Sequence, residues 1–149
     1  MKPADSLYHL VWSSRPLMQR AEALVDRHLA GTGLTVRMRA VLEILERDGD
    51  LTVPDLGHRL EIQRQYVQVM VNEVIAAGYA RKRDNPRHKS SPLISLSTAG
   101  NDLIRGVLAR ERAVVARMAE ALDPGDVETA MAVVSRLLDL LDDEIGREP

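Results

Sequence analysis

Apolar residues recur at three- and four-residue intervals through most of the chain, and the places where that rhythm breaks divide it into elements. Leu7, Leu10, Val11, Met18, Ala21, Leu24, Val25, His28 and Leu29 trace one face of a long amphipathic helix. Pro16 removes a backbone donor and crowds the preceding turn, which predicts a kink near Ser14 to Pro16 or two helices in sequence. Gly31 and Gly33 end this segment, and Thr35 is placed to cap a second helix with Met38, Val41, Leu42 and Leu45 facing inward. Asp48-Gly49-Asp50 stops that helix. Leu51-Thr52-Val53-Pro54 then opens a short one, with proline in its first turn, ending near Leu60.

Val67, Met70, Val71 and Val74 follow the i, i+3, i+4, i+7 rule, so a helix from about Gln63 to Ala77 buries that stripe. Its opposite face carries Gln65, Gln68, Val69 and Asn72. Gly78 closes it, and Tyr79 to Arg83 with Pro92 to Leu96 read as two short strands around a basic tip, Asp84 to Ser91. Ser97 or Thr98 caps a long helix through Leu103, Val107, Leu108, Val114, Val115, Met118 and Leu122. Asp123-Pro124 restarts the chain into a last helix with Val127, Met131, Val134, Leu138, Leu141 and Ile145. No repeat at a period of 20 to 50 residues is visible, which argues against a solenoid.

Composition narrows the class. With 149 residues, 45% hydrophobic and 28% charged, the chain has the mix of one globular domain. No apolar run is long enough to span a bilayer, and no signal-peptide pattern opens the chain, so cytoplasm is the expected compartment. The absence of cysteine excludes disulfides, thiolate metal sites and cysteine nucleophiles. His9, His28, His58 and His88 lie too far apart to form a helical metal-binding pair. No nucleophile elbow, phosphate-binding glycine loop or metalloprotease motif occurs; the expectation is a protein that is not an enzyme and needs no cofactor.

Charge is segregated. The chain carries a net -2, yet from Arg59 to Lys89 seven basic residues face three acidic ones. After Pro124, Asp126, Glu128, Asp139, Asp142, Asp143, Glu144 and Glu148 face only Arg136 and Arg147. Such asymmetry predicts one surface that meets an anion and another that does not.

A short helix, tight turn, second helix and charged hairpin form the layout of a winged helix-turn-helix. The run from Leu34 to Ile104 resembles the MarR family of bacterial transcription regulators. Its diagnostic pieces are Leu51-Thr52-Val53-Pro54-Asp55-Leu56, Val71-Asn72-Glu73-Val74-Ile75-Ala76-Ala77-Gly78-Tyr79 and Leu96-Ser97-Thr98-Ala99-Gly100. The resemblance implies a mainly α fold with a small β-hairpin wing. A winged lobe would span residues 34–100, with dimerisation helices in 1–33 and 101–149 of a single domain. It further implies a homodimer on double-stranded DNA with an inverted repeat, and a repressor or activator whose DNA affinity falls on binding a small ligand.

Base edges in the major groove are read by matched hydrogen bonds, and the recognition-helix candidates are Arg64, Gln65, Tyr66, Gln68, Val69 and Asn72. The wing candidates are Arg81, Lys82, Arg83, Arg87, His88 and Lys89, cations on a thin element suited to the minor groove. MarR-like wings often carry D-x-R-D-x-R; here the matching positions read Asn85, Arg87, His88 and Ser90, so only Arg87 conforms and the acidic anchors of the wing are expected to be missing. Val69 likewise stands where the family is often polar or basic. Tyr8, His9, Trp12 and Arg15 are the candidates for holding a planar aromatic or anionic effector. The competing function is a protein-interaction module whose basic hairpin docks an acidic partner or which acts by sequestration.

Overall fold

The structure, a computed structural model, describes residues 2–147. Among these residues, six helices and three strands follow in the order α1 (Pro3–Leu29), α2 (Val36–Asp48), β1 (Leu51–Thr52), α3 (Val53–Leu60), α4 (Arg64–Ala76), β2 (Ala80–Arg83), β3 (Leu93–Leu96), α5 (Thr98–Ala119) and α6 (Pro124–Ile145). The chain divides into two compact units, one up to Glu111 and the other from Arg112. Glu148, counted in the acidic C-terminal segment, lies outside the described residues.

Local chemistry explains the boundaries in the first unit. The Thr35 hydroxyl accepts from the Met38 amide at 3.2 Å, satisfying a first-turn donor of α2. Gly49 ends that helix at φ +82°, a backbone conformation that costs glycine little. Thr52 and Asp55 cap α3 reciprocally, each side chain meeting the other's amide, with Pro54 in the first turn. The Thr52 hydroxyl, 2.6 Å from the carboxylate, holds Asp55 below the usual carboxylate range.

The core of this unit is the expected stripe set, enlarged. Val41, Leu42, Leu56, Val67, Val71, Val74, Ile94, Ile104 and Val107 are fully buried. Leu29 from α1 and Ile104, Val107 and Leu108 from α5 join the same cluster, so the lobe draws on both flanking helices.

Two features bear on the sequence reading. Of the alternatives at Pro16, two helices in sequence are excluded, because α1 runs unbroken from Pro3 to Leu29. The helix is solvent-facing around Pro16, so water can satisfy the Trp12 carbonyl that proline leaves without an amide donor. The wing is also not a lone hairpin. β1 pairs antiparallel with β3, Leu51 opposite Ile94, giving a three-stranded sheet in the order β1-β3-β2. This third strand anchors the wing to the entry of α3.

In the second unit, no described residue of α6 is buried. Asp123 caps the helix by accepting from the Gly125 and Asp126 amides. Met131, Leu138 and Ile145 are 68%, 59% and 71% exposed along one helical stripe.

Candidate nucleic-acid interface

The inward stripe of α4 decides what faces out. Because Val67, Met70, Val71 and Val74 are held in the core, Arg64, Gln65, Tyr66, Val69 and Asn72 are exposed, and Gln68 is half-buried beside the wing. Gln68 donates from Nε2 to Asn72 Oδ1 at 3.0 Å, one helical turn along. The pair leaves the Gln68 oxygen and the Asn72 amino group free to accept and donate outward.

The wing meets α4 at two clefts. A groove of about 480 Å³ is lined by Thr52, Asp55, Arg64, Asn85, Arg87 and His88, among others. A smaller one of about 150 Å³ includes Arg64, Gln68, Lys82 and Ser90. The helix-borne amide and cation therefore stand against Lys82, Arg87 and His88 from the wing.

The remaining wing cations are placed differently. Along β2 successive side chains alternate, so Arg81 and Arg83 stand on the sheet face opposite Lys82. Arg83 pairs with Asp50 at 2.9 Å, which ties β2 to the loop before β1 and neutralises part of its charge. Arg59, from the same basic run, lies 3.5 Å from Asp48, whose carboxyl is held low chiefly by its hydrogen bond to Arg47. Lys89 is exposed at the tip.

The wing loop has an internal anchor after all. Asn85 donates from Nδ2 to the Ser91 carbonyl at 2.8 Å and accepts from the Arg87 amide at 3.0 Å. Its own carbonyl accepts from the His88 amide at 3.2 Å. An amide side chain thus closes the loop where the D-x-R-D-x-R pattern would place an acidic one, and it presents Arg87 without adding negative charge beside it. His88 Nδ1 lies 3.3 Å from the Ser90 hydroxyl. Sequence reasoning overlooked Thr52, Asp55, Ser90 and Ser91 as groove-lining residues; the Thr52-x-x-Asp55 spacing of a capping box was the available signal for the first two.

Tyr8, His9, Trp12 and Arg15 lie apart from these clefts on α1, all exposed. The Tyr8 ring is 6.1 Å from His9, edge-on, and 6.0 Å from Trp12, tilted by 58°. Within the protomer they form an open aromatic surface rather than an enclosed pocket. Among the described residues no cluster of three metal-ligating side chains occurs, and no helix is long and apolar enough to cross a membrane.

A helix-turn-helix followed by a sheet-anchored basic hairpin defines a winged-helix protein. A MarR family profile matches residues 32–89. A solved MarR family transcription regulator superposes with a TM-score of 0.90 at 32% identity, covering 97% of this chain and 96% of that one. The chain belongs to the MarR family. An uncharacterized protein of Mycobacterium tuberculosis is 34% identical over 91 residues; the match covers 61% of this chain and spans only 64% of that relative's length. The transcriptional repressor MdtR of Bacillus subtilis is 24% identical over 138 residues, covering 92% of this chain and 89% of MdtR.

Proposed function

We propose that the chain is a sequence-specific DNA-binding transcription regulator acting as a homodimer on an inverted repeat, a repressor released by a small aromatic or anionic ligand. The observation that carries this reading is the convergence of Arg64 and Gln68 with Lys82 and Arg87 around adjoining clefts. A polar helix face of this kind can enter a major groove while the wing follows the phosphate backbone. The name of MdtR, a repressor, agrees with the sign of regulation. The protein works by binding, not by catalysis, and does so in the cytoplasm, where bacterial DNA is.

A second copy of the chain is the occupant that fits the bare helices. Leu7, Leu10 and Leu17 on α1 and Val127, Met131 and Leu138 on α6 are exposed in the single chain. Pairing about a twofold axis would cover such stripes and set two recognition helices about 34 Å apart, one turn of DNA. A stable monomer in sedimentation at micromolar concentration would overturn this part. The open surface of Tyr8, His9, Trp12 and Arg15 supports an effector site there if the second copy supplies its other wall.

Salt dependence tests the electrostatics. Each neutralised phosphate contributes about -0.9 to the slope of log affinity against log salt, so a dimer using Arg64, Lys82, Arg87 and Lys89 from both protomers should show a slope of about -7. R87A, acting once per protomer, should reduce the magnitude of that slope by about 2 and weaken all sequences alike. Q68A should instead alter which sequence is preferred. Anisotropy with DNA from upstream of the chain's own gene reads both. Salt-insensitive binding, or identical effects of the two substitutions, contradicts the assignment.

A further inference from the structure

Val69 is an anomaly on the outward side of α4. It is 50% exposed and flanked by Gln65, Gln68 and Asn72, in a position where a solvent-facing helix gains nothing from a β-branched apolar side chain. Tyr66, 65% exposed, lies beside it. No stripe of the protomer's core reaches this face, since all four buried positions of α4 point the other way.

On DNA the same position acquires a partner. Thymine is the base that places an apolar group, its C5 methyl, on the major-groove edge, and small apolar side chains read it by contact. The neighbouring amide pair supplies the complementary signal: the free Gln68 oxygen can accept from adenine N6 while the Asn72 amino group donates to N7. Adenine and thymine methyl occur in one base pair or in adjacent ones, which suits an apolar residue set one position from a base-reading glutamine.

We infer that Val69 is a specificity-determining residue that reads a thymine methyl group in each operator half-site. This rests on the proposed DNA-binding function. The contact removes a methyl group and the valine isopropyl from water, so deleting the thymine methyl should weaken binding about three- to fourfold per half-site and about tenfold for the pair.

The test uses the full-length protein and one operator fragment made with thymine or with uracil throughout, the two differing only in C5 methyl groups. Wild type should bind the thymine form about tenfold more tightly. V69A should bring the two affinities within about twofold, and V69T, which keeps one methyl, should retain most of the difference. Because the side chain is half exposed, all three proteins should melt alike. Equal affinity of wild type for both fragments overturns the inference while leaving DNA recognition intact, as does undiminished thymine preference in V69A. Absence of specific binding to any promoter fragment overturns the DNA-binding reading itself, and this inference with it.

Discussion

Replacing Gly100 by alanine should lower the melting temperature by about 10 °C, corresponding to about 3 kcal/mol, while the same change at Gly106 on the same helix should raise it slightly. A Cβ at Gly100 would overlap the Tyr79 carbonyl oxygen and lie 2.8 Å from its carbon and 3.0 Å from its Cα. Those atoms cannot retreat cheaply. The Tyr79 oxygen accepts from the Ser97 amide at 3.0 Å, and the Ser97 hydroxyl both donates to the Gly78 carbonyl at 2.7 Å and accepts from the Gly100 amide at 3.0 Å. The end of α4, the start of β2 and the cap of α5 are thus joined through backbone, and moving α5 outward would also unpack Ile104 and Val107 from the core. At Gly106 nothing lies within 4 Å of the added carbon, so alanine's better helix propensity should contribute about 0.5 to 1 kcal/mol. Thermal unfolding followed by circular dichroism measures both. If G100A melted within 2 °C of wild type, the close approach would not constrain the fold.

The same junction shows why parts of the fold were legible and others were not. Helices α2, α3 and α4 bury one face each, so three- and four-residue spacing reveals them, and the expected span Gln63 to Ala77 overruns α4 by one residue at each end. Thr35, Ser97 and Asp123 are caps, local chemistry that needs no tertiary knowledge. β1 is two residues long and exists because Leu51 and Thr52 find β3 some forty residues later; no periodicity can appear in so short a segment. The outward face of α4 follows by subtraction, as what remains once the core stripe is assigned. The division among the wing cations does not, because the Arg83 to Asp50 pair joins positions 33 apart in the chain. Asn85 looked like a lost anchor when only its charge was considered, whereas its hydrogen-bonding capacity does the anchoring.

Arg39 marks the second place where a single change should matter greatly, and here the cause is charge. Its guanidinium meets both oxygens of Glu111, with Nε to Oε1 at 2.9 Å, and reaches Glu43 at 2.7 Å through Nη1. The Arg39 and Glu111 side chains are only 16% and 15% exposed, so this pair is largely out of water, while Glu43 at 39% remains wet. The hydrogen bond to Glu111, with the nearby Glu43 charge, raises the arginine's pKa further, so it stays protonated at every accessible pH. R39A should therefore cost about 2 to 3 kcal/mol in urea unfolding, somewhat below the loss for a wholly buried pair, because it strands the Glu111 carboxylate. Lysine should recover only part of this, since an ammonium cannot make the two parallel bonds. The decisive comparison is the double substitution R39M with E111L. If the cost of R39A is mainly the stranded charge, this variant should unfold close to wild type; if the ion pair itself supplies the stability, the double variant should be at least as unstable as R39A. Because Arg39 and Glu111 are 72 residues apart and join α2 to α5, the loss should appear in global unfolding, with the outward side chains of α4 left unaltered.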